Sequence, residues 1–570
     1  MAICNGRSGQ LETVDADILV VGSGAAGLSA AVHAAMAGAN VLVIDKGIIG
    51  KSGSTVSAVQ SAAAGKWSTA QDSLEAYCRD LLASGKGLSD PQLVHTFVDH
   101  LERVLDQLIA WGLQLDRDAS GEIVRTEAAG HAFARSISAA GGNTGRALLK
   151  TLIRQANRLP KLGKMPFTAC VQLLVRQQQI SGALVYDLLH NRFRLIRCKS
   201  LILATGGIGQ LYHVTTNPQQ ATADGFALAL RAGVRLIDME QVQFYPTSLV
   251  VPHHAKGFCL SFYHFAKVYN ARAERIMQRY DPVRLENVPR DAICYAIAKE
   301  IREGRCTPQR GLLLDVSEHV QRVRTWFPHE YKFLRQLGIR LEAEPVEIAP
   351  AAHFMMGGAR INRAAMTHIE QLYAVGETAG GLHGANRLAN NALPECLVFG
   401  AIAGESAARY ARTASHFNDV DGEMLWATVH RYEAIVSRGA AAPEQALRPF
   451  HWKQQIQRTM TEHVSVLRDE SGLRAAEQHL RDLSEQWAEV RVSGFPHRLA
   501  KDFLEMLEVE NMLLTARAIA AAARAREETR GAHVRLDHPD SSPQLVRVEV
   551  QQVEGRLEVR RQLQAEGGNR

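Results

Sequence analysis

Gly22-Ser23-Gly24-Ala25-Ala26-Gly27 has the spacing that brings a backbone against a pyrophosphate. Gly22 suits the tight turn, Gly24 keeps a side chain out of the way of the phosphates, and Gly27 lets helix and strand pack closely. A helix beginning there points free N–H groups and the positive end of its dipole at the anion. Asp45, about twenty residues on, is placed to accept hydrogen bonds from ribose hydroxyls. A second loop, Gly381-Leu-His-Gly-Ala-Asn-Arg387-Leu-Ala-Asn-Asn391-Ala-Leu393-Pro-Glu395, is rich in glycine and asparagine yet bounded by apolar segments. Its backbone N–H groups suit an anion or the carbonyl oxygens of a flavin.

Such loops need rigid elements on both sides. Residues 17–21 run Asp-Ile-Leu-Val-Val, and the branched aliphatics read as a fully buried parallel strand. Residues 28–37 are alanine-rich and helical, Gly38 stops them, and 40–44 form a second strand ending at Asp45. This is a dinucleotide-binding βαβ unit, and by itself it fits FAD or NAD. Lys199 to Leu203 reads as another buried strand, running into Ala204-Thr205-Gly206-Gly207. No Asp, Glu, Lys or Arg lies between Asp17 and Asp45, a stretch long enough to cross a bilayer. Its glycines, His33 and Asn40 assign it to the soluble βαβ unit instead. No transmembrane segment is expected elsewhere.

The composition sets the frame. A chain of 570 residues exceeds the roughly 250–300 at which one core stops growing, so two to four packed units are expected. With 46% hydrophobic and 22% charged residues it reads as a soluble enzyme, not a disordered, collagenous or coiled-coil chain. The 65 Lys and Arg against 59 Asp and Glu leave +6, too mild an excess to support a nucleic-acid function. The eight cysteines form no C-x-x-C pair, so no zinc or iron–sulfur site is expected, and they fit the reduced thiols of a cytoplasmic protein. The first seventeen residues carry acids and no apolar run, so no secretory leader is expected.

From about Asp15 to about Pro539 the sequence resembles the succinate dehydrogenase and fumarate reductase flavoprotein subunits, with L-aspartate oxidase as a soluble relative. The resemblance rests on the Gly22–Gly27 loop, Ser54-Thr-Val-Ser-Ala, Ala204-Thr-Gly-Gly207, Thr215-Thr-Asn-Pro218, Ala223-Asp-Gly225, Pro289-Arg-Asp291, His353, Ala374-Val-Gly-Glu377, His383-Gly-Ala-Asn-Arg387 and Arg530-Gly-Ala-His533. It implies an α/β fold: a Rossmann-like FAD-binding domain (1–248 and 345–415) interrupted by an α+β capping domain (249–344). A helical domain (420–532) and a tail (533–570) that reads as a strand pair complete the chain. FAD is the implied cofactor, held by the Gly22–Gly27 loop, Asp45, Lys46, Ser52, Ser54, Thr55, Ala204, Thr205, Gly206, Asp224, Asn391 and Leu393, with Glu377 near its ribose side. Membrane-bound members link FAD to a histidine where this chain has Ser54. Serine cannot make that bond, so noncovalent FAD is expected.

The resemblance also implies the chemistry. Arg387 and His353 hold a substrate carboxylate while hydride passes between flavin N5 and a Cα–Cβ bond, and Arg290 moves the proton. Each has a bland counterpart. Arg290 suits the surface start of a helix, His353 a core, and Glu377 a turn cap. His131 is a weaker candidate, and Arg135 reads as a surface charge. The chain then departs from the family. Tyr245 replaces a carboxylate-binding histidine, and no Asp or Glu stands between Glu240 and Glu274, where the family keeps a proton-relaying glutamate. His264 or Tyr263 is the expected substitute, although His264 also suits simple packing in the cap. Phe262 and Phe265 are expected to line a less anionic end of the site. Ala128 stands where aspartate oxidase has a glutamate, with Glu127 adjacent.

The leading expectation is an oxidoreductase for a small carboxylate, with plain fumarate a poor substrate. The alternatives are a subunit passing electrons to an iron–sulfur partner, an aspartate-type oxidase, and a regulatory flavoprotein. The expected location is cytoplasmic, with a partner able to hold the chain at the inner face of the membrane.

Overall fold

The computed structural model describes residues 11–288, 290–440, 448–492 and 501–564; Cys4 and Pro289 fall outside them. The chain begins β1 (Glu12–Val21), α1 (Ala25–Met36) and β2 (Val41–Ile44). It continues through β3 (Leu162–Met165), β4 (Thr168–Arg176), β5 (Gln179–Asp187) and β6 (Arg192–Leu203). These strands form one sheet in the order β3-β2-β1-β6-β5-β4, with Leu372–Ala374 also paired to β6. β3, β2, β1 and β6 pair in parallel, and β5 and β4 close the edge antiparallel. β1 lies inside the sheet, which is why its last four residues, Ile18–Val21, are all branched aliphatics.

α1 is buried from Ala25 to Ala35, because it is covered on one side by the sheet and on the other by α4 (Ala392–Thr413). Small residues permit that sandwich. A Cβ on Gly404 would stand 2.2 Å from the Ala30 carbonyl oxygen, and one on Gly400 would stand 2.7 Å from that of Ala26. At the head of α1 the contact is tighter. Gly22, at φ +104°, would bring a Cβ within 2.2 Å of the Ala204 carbonyl oxygen. The uncharged 17–45 stretch is thus a strand, a helix and a strand, and no helix among the described residues is long and apolar enough to cross a membrane.

A second apolar core gathers residues between Leu249 and Ile348. It rests on a four-stranded sheet whose first two strands are β7 (Val242–Leu249) and β8 (Val346–Met355), followed by Leu312–Asp315 and Lys267–Tyr269. α2 (Arg290–Arg302) packs against β7, and α3 (Pro328–Gln336) closes the outer side. Helices Gly422–Ala440, Pro449–His463, Glu470–Gln486 and Lys501–Ala525 follow. The tail forms a hairpin, Val546–Val553 with Arg556–Leu563, whose first strand pairs with Leu236–Ile237. The helices are locked to the sheet domain by buried Arg526, which bonds Glu240 at 2.6 Å and Glu528 at 2.8 Å.

Gly404→Val should force α1 and α4 apart, costing about 1–3 kcal/mol as overpacked cores do. A chemical-denaturation curve will show the loss, and retained flavin should fall with it because α1 carries the phosphate-facing amides.

Candidate active site

Four separate parts of the chain bring the candidate residues together. β7 and β8 lie side by side, with Tyr245 opposite Ala351 and Phe244 opposite Ala352. Tyr245 and the neighbouring His353 therefore meet with ring centres 5.4 Å apart. α2 starts at Arg290, whose guanidinium lies 5.0 Å from the centre of the Tyr245 ring. The 381–391 loop supplies Arg387, 6% exposed, 4.7 Å above the Phe354 ring and bonded through Nε to Gln243 Oε1 at 3.2 Å. Arg290, Arg387 and His264 line one cavity of about 760 Å³, together with His131, Glu127 and Ala128.

No ion pair neutralises either arginine among the described residues. Burial holds Arg387 down to about 10, and the nearby charge of Arg290 adds to the effect. Arg290 is also penalised by burial, but Tyr245 and Tyr263 outweigh it and leave its pKa raised. Both stay charged at neutral pH. Glu377 and Glu395 act on Arg387 from a distance, but among the described residues no carboxylate is bonded to either guanidinium, which leaves their N–H groups able to take an anion.

The histidines around them are neutral. Burial, with Arg387 and Arg290, pushes His353 well below its usual value, and Thr216 Oγ1 holds its Nδ1 at 2.8 Å. That leaves Nε2 for a ligand. His264 is lowered by burial and by Arg290, and its ring stacks 3.9 Å from that of Tyr263. Tyr263 and Arg290 act on one another, and among the described residues Arg290 Nε has no hydrogen-bond partner, so polar capacity remains beside that guanidinium.

The dinucleotide side is equally built. Thr55 Oγ1 accepts from Ala25 N at 3.1 Å, tying the 54–57 turn to the start of α1. Asp45 accepts from Ser23 N at 3.0 Å, Ser23 Oγ at 2.5 Å, Gly47 N at 2.7 Å and Ser52 Oγ at 3.1 Å. Both its oxygens are engaged, so a ribose must share them with rotatable serine hydroxyls. Lys46 bonds Thr222 at 2.6 Å, Asp224 at 2.7 Å and Glu508 at 2.6 Å, which fastens the end of β2 to the C-terminal helix. Thr205 and Gly206 meet Thr378, and a Cβ on Gly207 would strike the Glu377 carboxylate at 1.9 Å. Burial raises Glu377 to about 7, against the hydrogen bond from Met355 N. Asn391 is already satisfied by Tyr77 at 2.6 Å and by the Ala389 carbonyl at 3.0 Å, so its side chain shapes the loop and only its backbone is left for a cofactor. Leu393 is buried in the first turn of α4.

Three sequence expectations change. Arg135 is not a surface charge. It is fully buried, bonds Asp72 at 2.6 Å and Asp80 at 2.5 Å, and props His131, whose Nε2 meets the Ala389 carbonyl at 2.8 Å. Phe262 and Phe265 do not line the cavity, because the single 3-10 turn of Ser261–Phe265 rolls them onto Phe327 in the cap. Phe133, Phe244, Val288, Leu388 and Val466 form its apolar wall instead. A carboxylate does reach this corner, but from α3: Glu330 Oε2 accepts from Ser261 N at 2.9 Å. Nothing local announces it, since the two residues are 69 apart in sequence. Gln243 and Thr216 were also missed, although both adjoin motifs that pointed here.

A phosphate-binding βαβ unit joined to this cavity defines an FAD-dependent oxidoreductase. Residues 17–393 match the FAD binding domain family, and 453–554 match the fumarate reductase flavoprotein C-terminal family. The chain is 34% identical to one of the subunits of the CoM/CoB fumarate reductase of Methanothermobacter marburgensis, over 94% of this chain and 96% of that protein. It is 32% identical to the L-aspartate oxidase of Synechocystis sp., over 92% and 95%. It superimposes on a mutant FrdA chain of E. coli quinol fumarate reductase with a TM-score of 0.88 at 29% identity, covering 97% of each. The chain belongs to the FAD-dependent oxidoreductase family of fumarate reductase and succinate dehydrogenase flavoproteins and L-aspartate oxidases.

Arg135→Met should strand Asp72 and Asp80 and cost about 3–5 kcal/mol, the range for a broken buried ion pair. Asp72 is penalised by burial but held low on balance by Arg135 and Ser68. Its stabilisation is therefore present above the usual carboxylate range and is lost as pH falls through the depressed value. Denaturant melts of wild type and variant should converge at acid pH.

Proposed function

We propose that the protein transfers hydride between FAD and the Cα–Cβ bond of a substrate bearing one carboxylate. The observation that carries this reading is the pair of enclosed, unneutralised guanidiniums, Arg290 and Arg387, on one cavity wall.

The residues present fit FAD. The Gly22–Gly27 loop presses against Ala204 with no room for a Cβ. The start of α1, Asp45, Thr55, the 204–206 turn and Glu377 would hold it, with Asp45 and Glu377 suited to ribose hydroxyls. FAD supplies the hydride-carrying ring. Ser54 gives it no histidyl attachment, so the cofactor is held noncovalently.

The rest of the work falls to side chains. Arg387 grips the carboxylate through its forked N–H groups, held flat on Phe354 and aimed by Gln243. His353, neutral, adds a donor or acceptor through Nε2. These groups stabilise the charge that develops on the enoate as it is reduced. Arg290 delivers the proton to the other carbon. The cavity, at about 760 Å³, lies within the range that takes drug-sized ligands. Its wall of Phe133, Phe244, Val288, Leu388 and Val466 suits an apolar substituent better than a second carboxylate.

One observation favours a second role beside this one. The relative in Methanothermobacter marburgensis is named as a subunit of a fumarate reductase, and among the described residues no cluster here can hold a metal ion. Any iron–sulfur relay then belongs to a partner, and stable co-purification with a cysteine-rich protein tests it.

The reaction is tested by reducing the flavin anaerobically and adding fumarate, crotonate, cinnamate, L-aspartate-derived iminosuccinate or oxygen singly. Crotonate or cinnamate should restore the oxidised spectrum faster than fumarate. Fumarate acting as fast as the best monocarboxylate would sink the one-carboxylate reading, and peroxide release with L-aspartate would favour an amino-acid oxidase. Arg387→Met should lower kcat/KM about 100-fold, equivalent to roughly 3 kcal/mol. Arg290→Lys should abolish turnover while binding persists. An Arg290→Lys protein with every wild-type reaction rate would instead mark a regulatory flavoprotein.

A further inference from the structure

The neutral ring of His353 can grip a carboxylate only through a nitrogen that carries hydrogen. Such a ring has one N–H and one bare nitrogen, and a bare nitrogen facing a carboxylate repels it. We propose that Thr216, set by Asn217, holds His353 in the tautomer with the proton on Nε2, so that the ring donates to the substrate carboxylate beside Arg387. The inference rests on the reaction proposed above and assigns two positioning residues to that same site.

The direction of each hydrogen bond follows from what its atoms can do. Asn217 Nδ2 lies 2.9 Å from the His353 carbonyl oxygen. A carbonyl only accepts, so the amide presents its N–H side there; the reverse orientation would set two oxygens against each other. The same Nδ2 donates to Thr216 Oγ1 at 3.3 Å. Among the described residues Thr216 Oγ1 has one other partner, His353 Nδ1 at 2.8 Å. The hydroxyl has a single hydrogen, and Nδ1 is the acceptor open to it. Thr216 therefore donates, Nδ1 is bare, and the ring proton sits on Nε2. With the hydrogen on Nδ1 instead, Thr216 Oγ1 would accept twice and its own hydrogen would have no acceptor among these groups.

The backbone places the hydroxyl and the amide independently of the ring that they orient. Residues 214–217 run beside β8. Ala352 N donates to the Val214 carbonyl at 2.9 Å, and Thr216 N donates to the Ala352 carbonyl at 3.0 Å. Thr215 Oγ1 adds a bond to that same carbonyl at 2.8 Å and accepts from Asn217 N at 3.1 Å. Two glycines close in on the segment. A Cβ on Gly257 would stand 1.8 Å from the Thr215 carbonyl oxygen, and one on Gly209 would stand 2.6 Å from the Asn217 Cβ. The charges that act on His353 are those of Arg387 and Arg290, which only donate. An Nε2–H thus adds a third donor group to the site, which matches the acceptor-only oxygens of a carboxylate.

The test uses the FAD-loaded holoenzyme with its histidines labelled with the heavy nitrogen isotope, the His353 signals being assigned by their loss in His353→Ala. In the nitrogen NMR spectrum Nδ1 should show the shift of a bare imidazole nitrogen and Nε2 that of a proton-bearing one. Thr216→Val keeps the shape without the hydroxyl and should let the two tautomers mix; Thr216→Ser should restore the wild-type pattern. Crotonate binding, read without turnover from the absorbance of the oxidised flavin, should weaken about tenfold in Thr216→Val, equivalent to roughly 1.4 kcal/mol. In a His353→Ala background the same substitution should leave crotonate binding unchanged, whereas a merely structural effect would carry over. A wild-type spectrum with the proton on Nδ1 overturns the assignment, whether or not any variant folds. So does a Thr216→Val protein that binds crotonate like the wild type, or one whose loss persists without His353. If the wild-type tautomer is as stated yet neither crotonate nor cinnamate perturbs the flavin, the one-carboxylate reading fails and the donor role of His353 falls with it.

Discussion

Two guanidinium groups that face one cavity, with no carboxylate bonded to either among the described residues, are the constraint around which this structure is arranged. Enclosing a cation without a counter-charge is unfavourable, and a second cation beside it adds repulsion. Burial and Arg290 together bring Arg387 down to about 10. The protein compensates with softer contacts. The face of Phe354 and the amide of Gln243 hold Arg387, and the face of Tyr245 holds Arg290. These contacts fix direction without cancelling charge.

Keeping two such cations in place requires a stiff frame. Tyr245 and His353 come from paired strands, Arg290 from the head of a helix packed on one of them, and Arg387 from the loop that leads into α4. α4 is fastened to α1 by the close approach of Gly400 and Gly404, and α1 opens on the dinucleotide loop. The cavity-lining residues and the dinucleotide loop are therefore joined through packed elements. The C-terminal helices join it through the Arg526 network, and Val466 and Val534 complete the cavity wall.

The same enclosure sets the protonation of the other groups. Carboxylates that burial leaves without a cationic bond rise: Glu377 and Glu330 both reach about 7. Histidines beside the arginines fall, so His353 and His264 are neutral where the guanidiniums are charged. Beside the two arginines the histidines are held neutral while these two carboxyls are raised toward neutral pH.

The local sequence determined the dinucleotide unit, because its signals are contiguous: an aliphatic strand, three spaced glycines, an alanine-rich helix and a terminal acid lie within about thirty residues, the size of a βαβ unit. It also marked Arg290, His353, Arg387 and Tyr245, each embedded in a recognisable motif. Tertiary structure decided what lies between motifs. Arg135 looked like a surface charge because Asp72 and Asp80 are far from it in sequence. Phe262 and Phe265 pointed to the substrate until the 261–265 turn rolled them into the cap. Glu330, 69 residues away, reaches the backbone of Ser261 only through the packing of α3. A chain carries its local backbone preferences in contiguous residues, whereas burial, and with it charge, protonation and pairing, exists only once distant segments have met.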